Sequence, residues 1–428
     1  MRLLRRLALG RPELRFWALY DWANSVFITT VVQIFPIYFA RVAAVDVERH
    51  EASRLFALAT SAGMLLTVLL APLLGAVADH AGLRKKMLLA FVGLGVTSTA
   101  GLALVQRGDW LAGIVLFVLG NVGFNGSLVF SDALLPHVAR RREIDRLAAT
   151  SFALGYAGGG LLFALNVLWI QHPQRFGLAD PAAAMRLSFA TAAAWWLLFS
   201  LPLLLRVPEP PFEGAAPSGP GLFASGLARL LGTFRELRAY RHAFLFLLAF
   251  LVYSDGSSTI VRLGTLYGTE LGLPTGALIG AVLVVQAVGV PSSLAFGRLA
   301  TRVGAKRALY VALVGYAGIT AVAYGVETAA DFYVLAALVG LVQGGTMALS
   351  RALFATLVPR HKTAEFFGFF GVFEKVGSVA GPALFAASIS LWGSSREAVL
   401  ALAVFFVAGA LLLRLVDVEA GRVQARAA

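Results

Sequence analysis

No cysteine occurs among the 428 residues, and charged side chains make up only 14% of them. The first absence excludes disulfides, thiol catalysis and cysteine-bound metal, and by itself names no compartment. The second excludes a water-soluble globule of ordinary composition, because the chain is 59% hydrophobic. Other absences narrow the field further. The six histidines show no ligand spacing, and there is no Gly-x-x-x-x-Gly-Lys-[Ser/Thr] phosphate loop, no His-Glu-x-x-His and no nucleophile elbow. No machinery for ATP-driven pumping or hydrolysis is visible, so neither enzymatic activity nor a cofactor or metal is expected. Asn125 opens an Asn-Gly-Ser sequon, but within an apolar run, where the match is accidental.

What the chain has instead is a series of apolar runs, each about 18 residues or longer, enough to cross a hydrocarbon core of roughly 30 Å as helices. Twelve are expected, at 16–40, 54–78, 87–106, 110–137, 147–170, 186–205, 242–268, 275–299, 307–326, 331–357, 364–390 and 397–416. The fold class is thus an all-α membrane protein. The basic start, Met1 to Arg15, precedes a run too long and too polar for the core of a signal peptide. A net charge of +13 could suggest nucleic acid, but 26 of the 36 Lys and Arg fall in one set of alternate loops and tails. That bias places both termini in the cytoplasm and accounts for the basicity without a polyanion. A multi-pass protein of a bacterial inner membrane, in contact with lipid and monomeric, is the expectation.

The linker RVPEPPFEGAAPSGPG separates six runs from six. It divides the chain into a half at 1–205, a linker at 206–241 and a half at 242–428. Within the linker Phe223, Leu227, Leu230, Phe234 and Leu237 recur at helical spacing among Arg229, Arg235 and Arg238. This predicts an amphipathic helix on the membrane surface or a connector packed on the bundle. The halves are repeats. Gly75, Ala78, Gly82 and Arg84 match Gly297, Ala300, Gly304 and Lys306 at one offset, and SDALLPHV from Ser131 matches SRALFATLVP from Ser350. Gly155/Gly159 and Gly377/Gly381 add small-xxx-small pairs that permit close helix approach. Two related sets of six helices fit a secondary transporter with its site between the halves.

The segment from Gly75 to Lys85 resembles the loop signature of the major facilitator superfamily. Within that superfamily FWALYDWANSVF at Phe16, SDG at Ser254 and the stretch from Ala348 to Pro382 are similar to the vacuole-effluxer family. The chain departs from that pattern at Asp132, where asparagine is usual. The resemblance implies the major facilitator fold, and fungal members are implicated in amino-acid export from the vacuole. It also implies that Asp79, with Gly75, Gly82, Arg84 and Lys85, controls conformation: the aspartate caps or pairs across the interface in the outward-facing state, and the glycines allow a tight turn. Thr301 stands at the aspartate position of the second copy.

Ionisable groups within spans are costly unless paired or wetted, so each is a functional candidate. Seven occur: Asp21, Asp132, Asp255, Arg262, Arg351, Glu374 and Lys375. Asp21, Asp132 and Arg351 lie on the order of 10 Å inside the inner face at about 1.5 Å per residue. Asp132 and Arg351, at equivalent positions with opposite charge, are expected to pair as a gate across the inner mouth, with Asp21 competing for the arginine; alternatively a wide vestibule solvates all three. Asp255 and Lys375 are expected deeper, roughly 20 Å in, where together they could hold a zwitterion, and Asp255 could carry a proton. They could equally neutralise each other, or Lys375 could pair with Glu374. Arg262 shares a helical face with Asp255, and Asn24 and Ser25 adjoin Asp21. Pro36 can kink the first span. The leading reading is a proton-coupled or facilitative carrier of a small polar solute, amino acids foremost; a lipid or amphiphile carrier and a non-transporting receptor are the alternatives.

Overall fold

The computed structural model describes residues 2–211, 232, 235–377, 380–392 and 395–427. After one turn at Arg2–Arg6, the first span is α1 (Pro12–Ala43), followed by α2 (Arg49–Ala81), α3 (Arg84–Leu102), α4 (Trp110–Val138), α5 (Ile144–Gln171) and α6 (Pro181–Arg206). The second set is α7 (Arg241–Glu270), α8 (Thr275–Val303), α9 (Ala305–Tyr324) and α10 (Ala329–Leu357). Two helices each then make up the last spans, α11 (Thr363–Val376) with α12 (Ala380–Trp392), and α13 (Ser395–Ala401) with α14 (Ala403–Arg414); α15 (Val418–Ala427) ends the chain. No strand occurs among the described residues.

Among the described residues, eleven spans are long and apolar enough to cross a bilayer. α3 makes the twelfth and falls short only because Arg84, Lys85 and Lys86 fill its first turn. Several helices run past their apolar stretches, since a helix leaving the bilayer keeps its own hydrogen bonds until something stops it. Gly82 stops α2 at φ 62, a left-handed conformation that any Cβ would strain. Asp180 caps α6 by accepting the Ala183 N–H, and Thr328 with Asp331 forms a capping box on α10. Within α1, two wide turns at Phe27–Val31 and Phe39–Ala43 flank Pro36, which supplies no N–H to the ladder.

Packing repeats between the halves. α1 lies against α5 and α6, α3 against α4 and α6, and α2 against α4; in the second half α7 lies against α11 and α14, α9 against α10 and α14, and α8 against α10. The small-residue pairs mark two of these crossings. A Cβ on Gly155 would meet Ser25 Oγ at 2.6 Å, and one on Gly377 would meet the Leu251 carbonyl at 2.5 Å. The halves meet through α5 on α8, α2 on α11, and α4 and α5 on α10. Of the expected linker helix, Phe223, Leu227, Arg229, Leu230 and Phe234 lie outside the described residues. Arg235 and Arg238 belong to a helical turn whose Leu237 is fully buried.

Candidate functional site

Arg351, on α10, reaches across the interface to two carboxylates of the other half. Nη1 donates to Asp132 of α4 at 2.8 Å, and Nη2 donates to Asp21 of α1 at 2.8 Å. The expectation was competition for one arginine; the planar guanidinium serves both at once, because its two terminal nitrogens point to different sides. The Arg351, Asp21 and Asp132 side chains are 4%, 9% and 12% exposed, so water does little of the solvation. The rings of Trp17 and Phe152 lie 4.9 and 4.5 Å from the guanidinium carbon, and Ser151 donates to Asp21 at 2.6 Å. Trp17 is itself held by donating to the Ser131 carbonyl at 2.7 Å. Two carboxylates therefore face one cation in a sealed cluster.

The 75–85 segment closes the same end of the molecule. Asp79 accepts from Arg84 at 2.6 Å and from the Glu365 backbone N–H at 2.9 Å. Glu365 is in the first turn of α11, so Asp79 caps a helix of the other half, where the orphan N–H groups and the helix dipole both favour an anion. Arg84, only 2% exposed, also donates to the carbonyls of His361 and Arg360 at 3.1 and 3.4 Å. Gly75 and Gly368 let the backbones touch: a Cβ on Gly75 would lie 2.3 Å from the Ala364 carbonyl oxygen, and one on Gly368 would lie 2.6 Å from the Pro72 Cα. Lys85 faces away, its N–H donating to Glu209 at 3.0 Å and its ammonium to the Val207 carbonyl.

Above this closure a small pocket between α2, α4 and α11 is lined by Asn125, Asp132, Glu374, Lys375, Phe367 and Phe370, among others. Asp132 thus belongs to both the ionic cluster and the pocket wall. Lys375 pairs with Glu374 at 3.3 Å, the two side chains being 20% and 30% exposed. Asp255 has partners other than the expected lysine. Its carboxylate lies 3.4 Å from the Thr259 hydroxyl one turn on along α7, and it accepts the Gly381 N–H at 2.9 Å at the start of α12, as Asp79 accepts an N–H at the start of α11. The first N–H groups of a helix have no acceptor within it, and a short carboxylate beside them caps them. Arg262 is exposed beyond it. Ser25 is packed at the α1/α5 crossing, and Asn24, 3% exposed, has an amide nitrogen without a partner.

Sequence reasoning singled out the three charges of the cluster but missed its surroundings. Trp17 is four residues before Asp21 and Ser151 four before Gly155, so helical spacing puts each on the right face. Phe152, Glu365, Gly368 and Asn125 carry no comparable signal.

A model of the family described as "Vacuole effluxer Atg22 like" matches residues 43–426. The chain is 37% identical over 406 residues to the uncharacterized MFS-type transporter YxiO of Bacillus subtilis, with 94% of each chain covered. It is 24% identical to autophagy-related protein 22 of Pyricularia oryzae, over 85% of this chain and 65% of the fungal one. Among solved structures, the human organic anion transporter MFSD10 matches with a TM-score of 0.69 at 16% identity, covering 96% of this chain and 99% of that one. FucP in its outward conformation matches at 0.67 and 14%, covering 95% and 100%. At such identities the structural likeness speaks for the fold alone. With twelve spans in two repeated halves and a family match along nearly its whole length, the chain belongs to the vacuole effluxer Atg22-like family of major facilitator superfamily transporters.

Proposed function

We propose that this protein is a proton-coupled carrier of a small polar solute, with amino acids as the substrate class, working by alternating access as a monomer in a bacterial plasma membrane with both termini inside. The observation that carries the coupling is the charge count of the closed cluster: one arginine, Arg351, against Asp21 and Asp132. An unpaired charge within a span costs roughly 2.5–3.5 kcal/mol on insertion scales. One bound proton removes that excess, and Asp132, which also faces the pocket, is the carboxylate within its reach. Closure of this end then requires the proton, and opening of the cluster releases it. The Asp79–Arg84 lock on α11 sets how long the end stays closed and leaves substrate choice to the pocket.

Amino acids are supported by the family resemblance and by the pocket's own chemistry. Glu374 and Lys375 present opposite charges side by side, which a zwitterion can satisfy in exchange for their contact with each other. Asp255, engaged with main-chain N–H groups, serves in this reading as a helix cap for the second half. The apolar wall formed by Phe367 and Phe370 favours one other reading, an amphiphile carrier.

The test is counterflow in proteoliposomes without any gradient, followed by accumulation with an imposed pH difference. Exchange of a neutral amino acid, with accumulation abolished in Asp132→Asn but exchange retained, is expected. No exchange for any amino acid alongside exchange of an organic amphiphile would replace the substrate class, and unchanged pH-driven accumulation in Asp132→Asn would remove the coupling site.

A further inference from the structure

On the surface away from the other half, α9 and α14 run antiparallel and leave a groove between them. The register is fixed at both ends: Lys306 donates to the Arg414 carbonyl at 3.2 Å, and Tyr316 stacks on Phe406 at 4.8 Å. The groove is floored by Leu313, Ala317 and Ala410 and edged by Val314, Val407 and Leu411, which are 71%, 54% and 62% exposed. It runs for about 10 Å from Tyr310 to Ala317 at about 1.5 Å per residue, within a leaflet core of roughly 15 Å. It does not end in apolar surface. Arg414 closes one mouth beside Tyr310, and Arg307 stands three residues before Tyr310 and seven before Val314, on the same face of α9 by helical spacing; both arginines are exposed. Among the described residues neither forms an ion pair. Lys306 is engaged with the carbonyls that end α14, at 3.2 and 2.7 Å. The nearby carboxylate, Asp417, accepts the Ala420 N–H at 3.0 Å and is held below the usual range by backbone N–H groups, with His242 and Lys306 adding to the effect.

We infer that this groove is a binding site for an anionic phospholipid, its phosphate on Arg414 and Arg307 and one acyl chain lying between α9 and α14. Charge complementarity selects the headgroup, since two cations without an ion-pair partner at the edge of the hydrocarbon attract an anion. The continuous apolar floor selects a lipid over a free anion. A zwitterionic phospholipid fills the groove equally well, but its own ammonium offsets its phosphate, so it brings no net negative charge to the two arginines. The site is separate from the pocket and the ionic cluster, so it stands whether or not the chain carries an amino acid.

The full chain purified in detergent tests it by native mass spectrometry and thermal unfolding, with phosphatidylglycerol, phosphatidylcholine or inorganic phosphate added. Preferential retention of phosphatidylglycerol, with a rise in Tm that inorganic phosphate does not reproduce, is expected. At about fivefold per cation near the surface, Arg307→Gln/Arg414→Gln should weaken retention roughly 30-fold. Ala410→Phe, which fills the floor and keeps both charges, should also reduce it. Equal retention of phosphatidylcholine, full retention by the double variant, or an equal Tm rise with phosphate would each overturn the assignment. The glutamine variants sit on exposed positions, and an unchanged Tm without lipid establishes that they fold.

Discussion

Gly75→Ala is the smallest change that should unlock the closed end. The added methyl would lie 2.3 Å from the Ala364 oxygen, 2.7 Å from its carbonyl carbon and 2.9 Å from the Glu365 Cα, all main-chain atoms with no rotamer to yield. Ordinary contact needs about 3.5 Å, so α2 and α11 must part by about 1 Å at their crossing. The Asp79 bond to the Glu365 N–H, now 2.9 Å, and the Arg84 bonds to the His361 and Arg360 carbonyls, now 3.1 and 3.4 Å, stretch beyond useful length. Losing one charge-assisted bond of about 1.5–3 kcal/mol shifts the ratio of closed to open roughly 10- to 150-fold. The chain has no cysteine, so spin labels can be placed through His80→Cys and Arg360→Cys without background. Both positions are solvent-facing, one in each half. Pulsed electron resonance should show one short distance in the parent and a second, longer population with Gly75→Ala. An unchanged distance distribution would refute the view that this contact holds the end shut.

Three further outcomes follow from the same geometry. Arg351→Met should lower stability by about 3–5 kcal/mol, because it strands two buried carboxylates, while adding Asp21→Asn and Asp132→Asn should restore most of it; thermal unfolding of the single and triple variants measures both. Arg351→Lys should rescue poorly, since a point charge cannot span Asp21 and Asp132 from two sides or stack between Trp17 and Phe152; the double-mutant coupling to Asp132 should fall accordingly. Asp255→Ala should cost about 1–3 kcal/mol by orphaning the Gly381 N–H, whereas Asp255→Asn, which keeps an acceptor, should cost less and leave solute exchange intact; loss of exchange in Asp255→Asn would return this carboxylate to the transport path.

The fold was largely written in the pattern of apolar runs, because a bilayer forces each run into a helix that satisfies its own backbone. Their ends were less legible. α2 continues to Ala81 because Gly82, not the end of the apolar run, stops it. The charges of the cluster stood out since any ionisable residue in an apolar run is conspicuous, and the repeat offset put Asp132 and Arg351 at matching places. The main-chain partner of Asp255 was not legible, as it is the N–H of Gly381, 126 positions away, which no side-chain pattern announces. Gly368 was equally silent, one small residue in a run of phenylalanines whose role appears only when Pro72 is packed on it.

The opposite charges at Asp132 and Arg351 also govern which halves can assemble. Two copies of the first half facing each other would set Asp132 against Asp132, with Asp21 beside it and no cation; two copies of the second would set Arg351 against Arg351. Each like pairing would bury uncompensated charge, and only the unlike pairing closes. In a duplicated fold whose halves pack by the same rules, this one exchange of sign tells left from right, and it makes the fused chain, rather than a symmetric dimer of either half, the form that can seal itself.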